Sequence, residues 1–370
     1  MTQIRVIAML EKTMSALGTL STVLSIAACL LSWTCDSPTG AEAPSGSRNY
    51  VWAVDTIQMT MNHLSSMWGS SPTDIWAGGR GGTGWDRLLH YDGTRWTAWN
   101  EYIWATVNTL YGFSVNNVWI GGDEGRIWHF DGSHWTENFL YRPDGFQYTY
   151  IESVCGDAPN NVYAVGVIWY DNSKQRGFVL HFDGSHWNEV YRANYYSQFG
   201  RVRVANGMAY IWGIKLSYTA SDTEAIYAFD GNTIKEISSS IVDNTGHMMV
   251  DDIGGHVYCV LSHDVCRYEY TRQILATGDY VTSGSLARLF SINSPAFNFG
   301  VTGRSTSDAF ASMNNGVAHW NGTDLQYLVT FSPFEVAAFE PIMFQKDVFF
   351  CAVSVTSSAS FVYHGKLTNG

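Results

Sequence analysis

Asn116 to Glu137 reads NNVWIGGDEGRIWHFDGSHWTE. Asn116-Asn117 is a turn signal, the apolar run Val118-Trp119-Ile120 ends in Gly121-Gly122, the alternating run Arg126 to Phe130 ends in Asp131-Gly132, and Trp135 opens a further run. Short apolar or alternating runs punctuated by Gly and Asp-Gly predict strands joined by tight turns, Asp-Gly supplying the positive φ of a two-residue hairpin. The expected strands are Val118–Gly122 (B), Arg126–Phe130 (C) and Trp135–Phe139 (D), preceded by Val107–Phe113 (A).

The stretch recurs. Asp74-Ile75-Trp76-Ala77-Gly78-Gly79 leads to Leu89-His90-Tyr91-Asp92-Gly93 and Trp96, and Asn161-Val162-Tyr163-Ala164-Val165-Gly166 leads to His181-Phe182-Asp183-Gly184 and Trp187. The B-strand aromatic repeats at Trp76, Trp119, Tyr163, Tyr210, Tyr258, Phe310 and Phe349, at intervals of 39 to 52 residues. A second mark follows at Asp92, Asp131, Asp183, Asp230, a decayed Tyr268-Glu269, Asn321-Gly322 and His364-Gly365. Repeats of this length with four short strands each predict an all-β fold, a seven-bladed β-propeller with four-stranded blades. The last unit has A near Val336 to Phe344, B at Val348 to Ser354 and C at Phe361 to Leu367, and then ends without D. The orphan run Tyr50 to Ile57 is expected to supply it, so that an N-terminal strand closes the last blade and covers an edge free to pair with other chains.

The Gly-Gly after strand B, the aromatic-Asp ending C and the Trp opening D resemble kelch repeats. Trp68-Gly-Ser-Ser-Pro-Thr-Asp-Ile-Trp-Ala-Gly-Gly79 is closer still to the propeller repeats of bacterial secreted proteins. The resemblance covers about residues 50 to 370. It departs from kelch in the tight Tyr91-to-Trp96 spacing and in keeping both glycines only in the first two units. The Asp box of sialidase-type propellers is a poorer match, because Asp131 and Gly132 are adjacent. What the resemblance implies is a propeller used mostly for binding.

Composition sets the outer limits. Aromatic residues make up 15% and charged residues 15% of 370, with 35 Gly, a balance that favours a turn-rich β body over disorder. The net charge of −12 and the lack of any basic run exclude a nucleic-acid backbone as partner. Residues 1–35 differ from the rest: Arg5 and Lys12 precede an apolar run from about Met14 to Trp33, which reads as a secretory signal. Its end resembles a bacterial lipoprotein signal, which implies lipidation of Cys35, where the polar segment begins, or alternatively of Cys29, after Ile26-Ala27-Ala28. An uncleaved membrane anchor is the other reading, since about 20 apolar residues span a bilayer. Residues 36–48 carry breakers and no periodicity and read as a flexible tether, leaving 49–370 for the propeller.

Repetition also explains the residues that look chemical. Trp96, Trp135 and Trp187 hold one repeat position beside a turn, which points to wedging between blades. His90, His129, His181 and His319 stand two residues before the turn Asp or Asn, one per blade and too far apart to share a metal ion, so no metal site is expected. Asp92, Asp131, Asp183 and Asp230 precede Gly in turns, which turn chemistry alone accounts for. Cys155, Cys259, Cys266 and Cys351 are read as buried thiols; Cys259 and Cys266 pair directly across strands if Ser262-His263 is a hairpin tip. No catalytic triad, phosphate loop, zinc spacing or calcium loop emerges, and no cofactor is expected.

A–B and C–D turns should emerge on one face, and the longer B–C and D–A connections on the other. Binding residues are found disproportionately on variable loops carried by a rigid scaffold. The candidate ligand-binding residues on that loop-rich face are Arg80, Trp85, Tyr141, Arg142, Tyr148, Trp169, Tyr170, Tyr195 and Tyr196. The reading is an exported, lipid-anchored, monomeric binding module for a protein or polysaccharide at the cell envelope, at the bacterial outer membrane or cell surface. The alternative is a glycan hydrolase or lyase using Asp86, Asp144 or Asp171, which would need paired carboxylates roughly 5–9 Å apart.

Overall fold

The computed structural model describes residues 46–368, apart from 59–62, 80–87, 100–102, 104, 105, 171–174, 218, 243–246, 275–279, 293–296 and 338–340. The described elements are all strands, in antiparallel meanders. The first runs β2 (Leu64–Ser71), β3 (Asp74–Gly79), β4 (Leu88–Tyr91), β5 (Trp96–Ala98), and the second β6 (Val107–Ser114), β7 (Asn117–Gly122), β8 (Arg126–Phe130), β9 (Trp135–Leu140). Next come β10 (Tyr148–Ala158), β11 (Asn161–Trp169), β12 (Gln175–Phe182), β13 (Trp187–Arg192), and β14 (Ser197–Ala205), β15 (Met208–Lys215), β16 (Thr223–Phe229), β17 (Ile234–Ile241). An eight-stranded sheet joins β18 (His247–Ile253), β19 (His256–Ser262), β20 (Asp264–Ile274), β21 (Tyr280–Ser291) to β22 (Phe297–Ser305), β23 (Asp308–Met313), β24 (Gly316–Trp320), β25 (Leu325–Thr330). Among the described residues, the ladder between its halves is the single parallel bridge Ile253–Gly303. The last sheet contains β26 (Glu335–Ala337) and β27 (Ile342–Met343), both on β28 (Asp347–Ser354), then β29 (Ala359–Leu367) and, on its outer side, β1 (Tyr50–Gln58).

The expected pairing of the orphan strand is therefore present: Tyr50 lies opposite Leu367 and Gln58 opposite Ala359 in an unbroken antiparallel register. Of the A strand expected at Val336 to Phe344, the described residues give the two short strands β26 and β27.

Every register aromatic occupies the third residue of its B strand, from Trp76 in β3 to Phe349 in β28. Side chains there are sandwiched between neighbouring sheets, so B strands are apolar throughout rather than alternating; β7 is buried from Val118 to Gly122. The Trp opening strand D wedges against the preceding unit, Trp135 meeting Trp76 at 5.4 Å and Trp187 meeting Trp119 at 5.5 Å between ring centroids, both nearly perpendicular. Trp96 differs: it leans on Tyr91 and donates its indole N–H to Asp55 of β1 at 3.1 Å.

The histidines find an Nε2 partner within their own sheets. Nε2 of His90, His129, His181, His319 and His364 lies 2.6–3.0 Å from the side-chain oxygen of Asp74, Asn117, Asn161, Asp308 and Asp347, the residue opening strand B. Each imidazole also packs on the register aromatic, at 4.2 Å for His129 on Trp119.

The C–D turns are not the two-residue hairpins expected from Asp-Gly. Asp131 to His134 form a four-residue loop in which only Gly132 has positive φ, +98°, and Asp131 Oδ1 accepts the amides of Ser133 and His134 at 2.8 and 2.9 Å. Two amides on one oxygen favour the ionised acid and hold the Asp131 carboxyl below the usual carboxylate range. Gly132 lies against the A–B turn, where a Cβ would come within 2.7 Å of Asn116 Cβ, so the two turn types share a face. On the other face, the Tyr141 amide of a D–A loop bonds Gly125 O of a B–C turn at 2.9 Å.

Tyr268-Glu269 is not a decayed turn. β20 runs through it to Ile274, because neither residue supplies the positive φ that Asp-Gly brings, and His364-Gly365 likewise lies inside β29. Cys259 does pair with Cys266, and both are buried free thiols, as are Cys155 and Cys351.

Candidate binding site

The A strands are joined laterally by a repeated device. β2, β6, β10 and β14 each carry a bulge, at Ser65, Asn108, Glu152 and Gly200, directly before Ser66, Thr109, Ser153 and Arg201. A bulge re-aims the side chains beside it, here toward the next A strand. Ser66 Oγ accepts the Leu110 amide at 2.8 Å, Thr109 Oγ1 the Val154 amide at 3.3 Å, and Ser153 Oγ the Val202 amide at 3.2 Å. One residue earlier, Ser65 donates to Val107 O, and Asn108 donates to Ile151 O at 3.1 Å.

From β14 onward the hydroxyls give way to charge. Arg201 reaches Asp251 of β18 with Nη1 2.8 Å from Oδ1, and Asp251 Oδ2 accepts the Val301 amide of β22 at 2.7 Å. Burial pushes the Asp251 carboxyl up to about 7 against the pull of Arg203 and the Val301 amide. Gly300 is required beside it: its φ is +101°, and a Cβ there would lie 2.4 Å from Asp251 Oδ2.

These strands enclose a cavity of about 1030 Å³. Its upper wall includes Asp157, Ala158, Asn206 and Gly255, so it extends to the A–B turns of β10, β14 and β18, the face opposite the loops. Aromatic lining residues are spent on neighbouring strands: Trp68 lies so close to Gly112 that a Cβ would approach its ring to 2.8 Å, and Tyr111 donates its hydroxyl to Gly156 O. The chemically active part of the wall is Glu152, Asp157, Arg201, Arg203 and Asp252. Burial raises the Asp252 carboxyl, with the Gly255 amide and Arg203 opposing it, while burial also keeps the Cys155 thiol protonated. The cavity thus presents both signs of charge and no activated thiolate.

The loop-rich face carries the residues singled out in the sequence, in separate groups. Arg80 and Trp85 lie outside the described residues, as do Asp86, Asp171, Cys29 and Cys35. Tyr141 is buried, its ring packed at a tilt on Phe178 with centroids 4.6 Å apart, its hydroxyl bonded to Glu189 and receiving a bond from Arg192 at 3.2 Å. Arg142 pairs with Glu124 at 3.0 Å. Tyr195 meets Tyr227 hydroxyl to hydroxyl at 3.1 Å, and Tyr196 lies under the Arg176 guanidinium at 4.5 Å. Tyr148 and Trp169 are brought together as cross-strand partners, and Tyr170 follows directly; Tyr148 and Tyr170 are 47% and 52% exposed. Among the described residues of this set, Tyr148 and Tyr170 are the ones that present aromatic surface outward.

The cavity residues escaped the sequence reading because they sit in the A strands, whose pattern is carried by aromatic-Gly and Cys-Gly pairs: Trp68-Gly69, Tyr111-Gly112, Cys155-Gly156. That recurrence was available as a signal that glycine is needed where an adjacent inner strand approaches.

No protein-family model matches the chain, and no curated protein matches it in sequence. Solved structures do match. The structure of YCF48 from Cyanidioschyzon merolae aligns with a TM-score of 0.54 at 11% identity over 84% of this chain and 98% of that one. YCF48 bound to D1 peptide aligns with a TM-score of 0.52 at 11% identity over 85% and 97%, and oligogalacturonate lyase in complex with manganese with 0.56 at 11% identity over 86% and 97%. These neighbours are β-propeller proteins, and at such identities the likeness establishes the fold alone: this chain has a β-propeller fold built of four-stranded sheets in a row.

Proposed function

We propose that the chain is a seven-bladed propeller, closed by β1 as the outer strand of the last blade, and that it works as a binding module for an extended segment of a protein partner. The axial cavity is the observation that carries this reading: about 1030 Å³, with Arg201, Arg203, Glu152, Asp157 and Asp252 among its lining residues. Pockets with a few convergent polar groups and perturbed carboxyls are where ligands are expected. Mixed charge with the aromatic faces already covered suits a polypeptide better than a sugar ring, which needs a bare aromatic platform. A YCF48 structure holds a D1 peptide, and another neighbour is BBS1N in complex with ARL6DN, at 13% identity and a TM-score of 0.52 over 87% of this chain and 97% of that one. Protein binding is thus at home on this fold.

Selection of displayed peptides against the full chain in detergent, with a glycan array in parallel, tests the reading. Peptides are expected to bind and to lose about tenfold in affinity with Arg203→Ala; glycan hits without peptide hits would overturn it. The glycan-lyase or hydrolase alternative, placed from the sequence on Asp86, Asp144 or Asp171 of the loop-rich face, finds a further candidate in the cavity's Asp252, whose raised pKa suits a general acid, and product formation on a glycan hit would establish it. Tyr148, Trp169 and Tyr170 form a second contact surface in the same proposal.

Export and anchoring rest on residues 1–48 alone. The reading places the propeller at the cell envelope, tethered through a lipid on Cys35. Metabolic labelling with a fatty acid should mark the chain, and Cys35→Ala should abolish the mark; retained label would move the anchor to Cys29.

A further inference from the structure

β20 and β21 form a ribbon longer than their sheet. β19 pairs with β20 only from Tyr258–Arg267 to Leu261–Asp264, whereas β20 stays paired with β21 out to Ile274–Tyr280. Extending the β19 register places His256 level with Glu269 and the A–B turn at Gly254-Gly255 level with Tyr270. Beyond that turn the two-stranded ribbon continues for about four residues, or about 13 Å at 3.3 Å per residue. Over Glu269–Ile274 the described residues give β20 no strand partner except β21. Its other edge is the one that β19 covers lower down, so it faces the propeller axis.

The ribbon rises on the face that the axial cavity reaches, and from the same sheet: Asp252, Gly255 and Val257, on the two strands that lie between the ribbon and the axis or the turn that joins them, line the cavity. We infer that the inward edge of β20 from Glu269 to Ile274 is a docking strand, to which the partner segment seated in the cavity adds itself by main-chain pairing as it leaves the mouth. The inference rests on the peptide-binding reading and deepens it. An open edge is a template for any extended chain, and peptide recognition by strand addition takes affinity from the main chain and selectivity from the pockets alongside. Here the charged cavity would supply the selectivity.

The test uses peptides selected against the full chain. Replacing residues 270–284 by Asn-Gly, which joins the paired Glu269 and Ser285 through a two-residue turn, removes the overhang and leaves the cavity wall intact. Peptide affinity is expected to fall at least tenfold in this variant. Hydrogen exchange on the unaltered full chain gives an independent readout, with slower exchange of the Glu269–Ile274 amides in the peptide complex. Peptides that depend on Arg203 yet bind the shortened chain equally well, with no slowing at these amides, would overturn the docking strand while leaving the cavity as binding site. Failure of any peptide to bind would overturn both.

Discussion

Removal of residues 49–58 is expected to make the protein aggregate. β1 contributes a nine-residue ladder on β29, from Tyr50–Leu367 to Gln58–Ala359. It also buries Ile57, sets Tyr50 edge-on to Phe310 at 5.6 Å and lays Trp52 against Phe350 at 6.1 Å. Arg304 adds a bond to the Tyr50 hydroxyl at 3.0 Å while also holding Asp308 at 2.9 Å and Phe344 O at 2.8 Å. Losing the apolar burial alone costs about 5 kcal/mol at ~2 kcal/mol per large side chain. That is comparable with the whole stability of an ordinary domain, roughly 5–15 kcal/mol. The exposed β29 is buried along most of its length in the intact fold, so the new edge is apolar as well as unpaired, the combination that templates association. Light scattering and size-exclusion chromatography of the truncated chain decide the matter: a monomer with unchanged melting temperature would show that β1 is ornamental and that the last blade stands with its own strands.

The closing strand was legible in the sequence because its signal is local: Tyr50 to Ile57 is an apolar, strand-like run outside the repeat's turns, and the last unit visibly lacks a D strand. The register aromatics and turn Asp residues were legible for the same reason, since Trp119, His129 and Asn117 satisfy one another within a single unit. The axial seam was not. Its bonds join residues 44 to 50 positions apart, Ser66 to Leu110 or Asp251 to Val301, and the position tolerates Ser, Thr, Arg or Asp because each solves the junction differently. A repeat search weighted by residue type passes over such a position. Among the loop aromatics, type alone could not separate Tyr141, whose ring fills the space between two sheets, from Tyr148, which faces solvent. The long ribbon was missed because the fifth unit marks no turn at Tyr268-Glu269, and absence of a turn signal was read as decay of the motif rather than as continuation of the strand.

Replacement of Asp251 by Ala is expected to cost about 3–5 kcal/mol, the range for breaking a buried ion pair from one side. The carboxylate holds two A strands at once, through Arg201 of β14 and the Val301 amide of β22, and Ala leaves that amide without its acceptor. Asn keeps an acceptor but cannot titrate, so it isolates the effect of charge. Unfolded, Asp251 ionises near 3.9; folded, burial raises it to about 7. Between these values the folded state holds a proton that the unfolded state has released. The stability this contributes is fully present below about pH 4 and is lost as pH rises through 7, by at most about 4 kcal/mol for a shift of that size. The ion pair with Arg201 offsets part of the loss, because the ionised form gains a partner as it appears. Urea unfolding at pH 4.5 and 7.5 should therefore show wild type losing stability relative to Asp251→Asn as pH rises. Parallel pH dependences in the two proteins would mean that Asp251 is ionised throughout and that the junction is a fixed ion pair; a pH-dependent gap would make it a protonation-sensitive clasp behind the cavity wall, to which its partner Arg201 belongs.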